Sequence, residues 1–288
     1  MHVPVMLESS LEYLAIRPDG IFLDATAGLG GHTRAIAERL TTGLVLACDR
    51  DQESLERARE NTVEYAARIR YHKVSFSQLG AVPSAEGISQ VDGLLADLGV
   101  SRYQLTTGER GFSLMADGPL DMRLDRSQAE TAADLVNYES EQELADLIYR
   151  FGEERRSRKI ARAIVRARPI STTGQLAKLI EQTAPRTGKI HPATQTFQAL
   201  RMAVNHELEE LQALLDWIPK LVKTGGRAVI ITFHSLEDRM VKQSFQAMAR
   251  AGQGVILTRH VVRPEEDEIR NNAPSRSAKL RAMEVIRG

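Results

Sequence analysis

The chain has 288 residues, 42% of them hydrophobic and one of them a cysteine, so it can bury a sizeable core but cannot form an internal disulfide. Lys+Arg and Asp+Glu are equal at 38 each, so bulk charge names no partner and a nucleic-acid surface requires local segregation of charge. No apolar run approaches the ~20 residues of a membrane span, and "MHVPVMLESS" lacks the regions of a secretory signal, so a cytoplasmic protein without membrane contact is expected.

The first strand is predicted in "GIFLDAT", ending at Asp24, and "AGLGGH" then turns the chain into a helix in "HTRAIAERL". Glycines at 28, 30 and 31 let backbone approach a ligand closely and adopt positive φ; the other reading is a tight turn and nothing more. A dinucleotide fingerprint requires a third glycine where Thr33 stands. The acid before the glycines suits instead a nucleoside carrying an ammonium, such as S-adenosylmethionine. The strand "GLVLACD" buries Cys48 as a small hydrophobe and ends in Asp49, about 20 residues past Gly28, where an acid accepts both hydroxyls of a ribose. Asp51 is assigned to capping the helix that starts in "QESLERARE". Phe76 follows the strand "RIRYHKVSF", placed either to cover an adenine or to join the core. "VDGLLADLGV" puts Asp97 at the same carboxyl edge. Glycine turn and acids thus converge on one crevice.

Alternating strands and helices predict a parallel sheet, an α/β fold. After Val100 the chain is polar and rich in Gly and Asp for longer than an ordinary connection. From about Ala129 to Leu221 it reads helical, with breaks near "RPISTTG" and "APRTGKIHPATQ", until "GGRAVIITF" restores a strand; "GVILTRHVV" and "KLRAMEVI" complete about seven. The expected organisation is a discontinuous core, 1–104 and 207–288, interrupted by a helical insertion over 105–206. If 154–167 is helical, Arg155, Arg158, Lys159, Arg162 and Arg166 form one stripe while Ile160 and Ile164 face elsewhere. Such a stripe suits RNA phosphates; the bland alternative is a solvated face. Arg276, Lys279 and Arg281 form a second candidate contact, or a polar loop leading into an edge strand. His32, His191 and His234 match no zinc spacing, so no metal is expected. Ser235 with Asp238 reads as a helix cap rather than part of a hydrolase.

The blocks "HVPVML", "DATAGLGGHT", "DLGVS", "ERGFS", "DGPLDMRLD", "GEERRSRKIARAIV", "HPATQTFQALRMAVNHELEEL", "FHSLEDRMVK" and "RSAKLR" run in one order nearly end to end. The chain resembles the bacterial small-subunit ribosomal RNA methyltransferases that act on the exocyclic N4 of a decoding-centre cytosine. The resemblance implies a class I S-adenosylmethionine-dependent methyltransferase core, Rossmann-like, with an inserted all-helical domain that recognises RNA. It implies 16S rRNA or the small subunit as partner, rather than DNA, and leaves monomer or homodimer open. Donor contacts carry over to Gly30, Gly31, His32, Asp49, Phe76, Asp97 and Gln104. Arg102-Tyr103 stand where the family commonly has Ser-Pro, and Thr106-Thr107 where it has two acids. Asp97 is the first candidate to accept the N4 proton, or else binds only the donor; Asp117 and Asp121 are further candidates, and Arg123 a phosphate ligand. The rivals are a small-molecule methyltransferase, a non-catalytic RNA-binding assembly factor and, more remotely, a nicotinamide enzyme.

Overall fold

The computed structural model describes residues 4–184 and 191–286. The chain divides into two compact units, Met1–Gly99 with Glu209–Gly288, and Val100–Leu208. The first is built on seven strands: β1 Ile21–Asp24, β2 Leu44–Asp49, β3 Ile69–Lys73, β4 Val91–Asp97, β5 Val222–Thr232, β6 Gly254–Ile256 and β7 Lys279–Val285. Their order is β3-β2-β1-β4-β5-β7-β6. β1 to β5 pair in parallel, and β7 runs antiparallel to both neighbours. This is the α/β sheet the sequence predicts, with one correction. β7 is not an edge strand, because the three-residue β6 covers its outer side.

The strands are apolar on both faces because both faces are covered. Leu23, Leu46, Cys48, Leu94, Ala96 and Ile230 point into one core, which includes Leu214 and Ile218 of the helix Glu207–Leu221 and Phe245 of the helix Ser235–Arg250. Their neighbours Phe22, Val45, Ala47, Leu95 and Ile231 point into the other, with Leu11 and Leu14 of the helix Leu7–Leu14 and Ile36 of the helix Gly31–Arg39. Truncating one such leucine to alanine costs about 2–5 kcal/mol. Strand order reverses between β1 and β4, and a parallel sheet opens its ligand crevice at the carboxyl ends flanking that switch.

The second unit packs the helices Ala132–Tyr138, Glu141–Gly152, Ser157–Ala167, Thr173–Thr183 and Thr194–Val204 around a core that includes Leu135, Leu144, Ile148, Ile164, Leu176 and Leu200. Thr131, Ser140 and Thr172 each open a helix with a reciprocal capping box. The expected helix 154–167 starts instead at Ser157, because the buried Glu154 carboxylate accepts the Arg156 amide and guanidinium and ends the preceding turn. The polar segment after Val100 is ordered from within. Buried Arg110 donates to the carbonyls of Arg123 and Leu124, and the Asn205 side chain joins the Leu124 amide (2.8 Å) to the Met122 carbonyl (2.7 Å). The break predicted in "APRTGKIHPATQ" falls partly on 185–190, outside the described residues. Among the described residues no helix is long and apolar enough to cross a membrane.

Candidate active site

β1 delivers Asp24 to the switch point and buries it completely. Its Oδ2 accepts the Thr33 hydroxyl at 2.6 Å and its Oδ1 the Thr26 amide at 3.1 Å. The strand end is thereby tied to the helix Gly31–Arg39, and the turn between them runs through Gly28 (φ 52°) and Gly30 (φ 87°). A Cβ on Gly30 would lie 2.9 Å from Thr62 Cγ2 and 3.2 Å from the Ala58 backbone, so the turn admits no side chain there. Burial raises the Asp24 pKa to about 6 against the opposing hydroxyl of Thr33. Keeping it ionised at neutral pH costs about 3 kcal/mol. The expectation that Asp24 touches the ligand is corrected: its carboxylate is enclosed and shapes the turn. Thr33, the residue that breaks the dinucleotide fingerprint, is its partner.

β2 ends in Asp49, half-buried at the same edge. Its Oδ2 accepts the Gly28 amide at 2.8 Å and its Oδ1 the Asp51 amide at 2.9 Å. A carboxylate oxygen takes two hydrogen bonds, so each retains one acceptor site, the geometry a vicinal diol requires. Burial raises the Asp49 pKa to about 6, opposed by the Asp51 and Gly28 amides. Asp51 caps the helix Gln52–Asn61 through the Glu53 amide. Phe76, half-buried, opens the turn Phe76–Ala81 that follows β3, and Glu210 fixes that turn by accepting from the Ser77 amide and hydroxyl.

β4 ends in Asp97, whose amide donates to the Thr26 hydroxyl at 2.6 Å. The side chain is 23% exposed, yet its Oδ1 is buried and without a hydrogen-bond partner. An orphaned buried carboxylate oxygen is costly unless a ligand supplies the donor. Its Oδ2 lies 3.8 Å from Nδ1 of His32, which is buried, with Nε2 3.1 Å from the Val5 carbonyl oxygen. Burial, then the charges of Asp24, Glu237 and Glu268, hold the Asp97 carboxyl well above the usual range. A turn with no side chain at Gly30, an acid ready for a vicinal diol and an orphaned oxygen among acids together fit a nucleoside that carries a positive centre.

The remaining candidates are disposed differently. Gln104 belongs to the Val100–Leu208 unit, where its side-chain oxygen accepts the Ser101 amide in a capping box. Asp117, exposed, accepts the Gly174 and Gly118 amides, and the Gly174 bond holds its pKa below the ordinary value. Asp121 grips the Arg123 guanidinium with both oxygens; burial raises its pKa, but Arg123 brings it below the ordinary value. Each is stabilised as its anion by these partners, which makes it a weaker base than Asp97. Arg123 also donates to the carbonyls of Arg126 and Gln128, so it braces its loop rather than offering itself to a phosphate. Lys279 and Arg281 both face Asp238, Arg281 at 2.7 Å, and are corrected to internal ion pairs; Arg276 is exposed. On the helix Ser157–Ala167, Arg158, Lys159, Arg162 and Arg166 are exposed opposite buried Ile160 and Ile164. Arg155 is exposed but precedes the helix, and Arg162 meets Glu141 at 3.2 Å, an acid from the preceding helix that its own sequence neighbourhood does not announce. The cap of the helix Ser235–Arg250 is His234 with Glu237, one residue before the expected Ser235.

Comparison with known proteins gives one answer. The pattern of the MraW methylase family matches residues 1–286. A protein of Solibacter usitatus named "Ribosomal RNA small subunit methyltransferase H" is 60% identical over 285 residues, covering 99% of this chain and 100% of the relative. Proteins of the same name from Acidobacterium capsulatum and Syntrophobacter fumaroxidans are 49% and 47% identical, each over 98% of this chain and covering 98% and 96% of their own lengths.

Proposed function

Because the chain belongs to the MraW methylase family, we propose that it transfers a methyl group to the exocyclic N4 of a cytosine in small-subunit ribosomal RNA. Its methyl donor is S-adenosylmethionine, which supplies an electrophilic methyl group on a sulfonium. The observation that carries the reading is the wiring of the sheet edge: Gly28 bonds Asp49, and Thr26 bonds both Asp24 and the Asp97 amide. The glycine turn, Asp49 and Asp97 therefore form one rigid cradle.

Asp49 accepts the ribose hydroxyls, Phe76 covers a face of the adenine, and Gly28, with nothing nearer to its Cβ position than the Thr26 carbonyl, leaves room for the rest of the donor, while Gly30 and Gly31 let the turn pack against Thr62 and Pro4. The cytosine N4 is a poor nucleophile because its lone pair is delocalised into the ring. Asp97 accepts a hydrogen bond from N4–H, favouring the pyramidal nitrogen, and takes the surplus proton; assistance of this kind is worth roughly 10²–10⁴-fold. Alignment of nitrogen and methyl group contributes more, up to ~7–11 kcal/mol in oriented intramolecular systems. The base must be unstacked to enter, at a cost of a few kcal/mol. Phosphate contacts along Arg158, Lys159, Arg162 and Arg166 offset that cost. The test is to incubate the protein with unmethylated small subunits and labelled donor and map the modified nucleoside by mass spectrometry. Label on N4 of one cytosine supports the reading; label only in a low-mass product overturns it.

A further inference from the structure

We propose that Glu210 and Trp217 are positioning residues for the methyl donor. From the helix Glu207–Leu221 they hold the turn Phe76–Ala81 at Ser77 and Gly80, fix the ring of Phe76 before the donor arrives, and so set donor affinity without touching the donor. The proposal rests on the reading of Phe76 as the cover of the adenine.

The turn needs holding. It follows β3, the edge strand of the sheet, so no further strand stands beyond it. Leu79 anchors it in the core that contains Leu214 and Ile218 of the helix, and Ser75 opens it in a capping box with Gln78. Those contacts secure the base of the turn but leave Ser77, which is exposed, to be fixed from outside.

The helix fixes it with three bonds to that one residue. The Ser77 amide donates to Glu210 Oε2 at 2.9 Å, its hydroxyl donates to Glu210 Oε1 at 2.9 Å, and its carbonyl accepts the Trp217 indole N–H at 3.3 Å. Glu210 and Trp217 lie about two helical turns apart and therefore share a face. Gly80 completes the fit, because a Cβ there would overlap the Trp217 ring. Lys220 Nζ stands 4.7 Å from the centroid of that ring and adds a cation–π hold on it.

Hydrogen bonds as exposed as these add little to stability, since water competes for the same groups. Their effect is to remove freedom from the backbone beside Phe76, whose ring packs half-buried against the same core as Trp217. A donor that stacks on a ring already in place is spared the cost of ordering it.

The test is titration calorimetry of the full chain with S-adenosylmethionine, arranged as a double-mutant cycle between Glu210→Ala and Phe76→Ala. Glu210→Ala should weaken binding about two- to tenfold, the cost of ordering one side chain. Glu210→Gln, which keeps an acceptor for the Ser77 amide, should recover most of the loss. In a chain that already carries Phe76→Ala, Glu210→Ala should cost nothing further. The chain has one tryptophan, so acrylamide quenching of its emission reports on the turn directly. Quenching should rise in ligand-free Glu210→Ala and fall back when S-adenosylmethionine saturates it. Wild-type affinity in Glu210→Ala, a loss of the same size with and without the Phe76 ring, or quenching that Glu210→Ala leaves unchanged would each overturn the proposal. Wild-type affinity in Phe76→Ala would instead overturn the adenine reading beneath it. Should Glu210→Ala not fold, Gly80→Ala drives the turn off the indole with Glu210 intact: its loss of affinity should disappear beside Phe76→Ala, and a loss that persists would overturn the proposal.

Discussion

The aspartates of the sheet edge and those of the helical unit share a side chain and differ in company. Asp24, Asp49 and Asp97 lie among buried groups and one another, Asp24 and Asp49 with backbone amides or a hydroxyl as partners and Asp97 with one oxygen unpartnered, and burial holds all three above the ordinary carboxylate range. Asp117 accepts the Gly174 amide in the first turn of the helix that Thr172 caps, and Asp121 grips Arg123; both lie below it. Acids whose anions the protein already satisfies with amides or a guanidinium stabilise it and have less to offer a ligand. Acids kept costly and short of cations are prepared for a ligand that brings positive charge.

The contrast breaks first, if at all, at Asp97. Asp97→Asn should lower methyl transfer to small subunits about 10²–10⁴-fold in single-turnover assays. Asp121→Asn should leave turnover per folded molecule nearly unchanged and lower unfolding stability by about 1–3 kcal/mol, because it abandons Arg123. Equal loss of turnover in both would erase the distinction. Next is Asp49→Ala, which should weaken S-adenosylmethionine binding roughly ten- to a hundredfold in calorimetry while the chain still unfolds cooperatively in urea; wild-type affinity would move the ribose contact elsewhere.

The pH dependence sharpens the comparison because binding and stability should move in opposite directions. Asp49 accepts two hydroxyls only as an anion, so donor affinity should be flat above about 6 and fall as pH drops through that value, by up to about tenfold per pH unit. For the fold, the raised pKa values of Asp24 and Asp49 mean that the native state binds protons before the unfolded chain does. Their contribution is present below the unfolded pKa near 3.8 and is lost as pH rises through about 6. Between those values, acidification should relieve these two groups while it costs affinity, and calorimetry beside urea titration reads both. The smallest effect belongs to the cationic face. Arg158→Glu with Arg162→Glu should flatten the salt dependence of subunit binding by about 0.7 in log–log slope per lost contact, whereas Arg281→Ala, which releases Asp238, should leave the slope unchanged and lower stability.

What the sequence made legible was local or periodic. The strands show as apolar runs, the turn as Gly28, Gly30 and Gly31, the Asp51 cap by its place before "QESLERARE", and the cationic stripe by its 3- and 4-residue spacing. What it hid was partnership. Thr33 reads as a defect in a fingerprint until β1 carries Asp24 beside it. Arg281 reads as a free cation until β7 packs it against Asp238, 43 positions away. Arg110 carries no sign that it is buried as the brace of its loop. His32 and Asp97 are 65 residues apart and meet only because β1 and β4 are neighbours. Charge type is written in the chain, but whether a charge is satisfied depends on contacts between distant segments.

The central claim is that the carboxyl ends of β1, β2 and β4 form one donor cradle. Its most direct test is a crystal structure of the protein with S-adenosylhomocysteine. The account predicts both ribose hydroxyls within hydrogen-bond distance of Asp49, the chain of the ligand along Gly28–Gly31, and a ligand polar atom or the thioether beside Asp97. A ligand bound away from Asp49, or a ribose held by other residues, would contradict it.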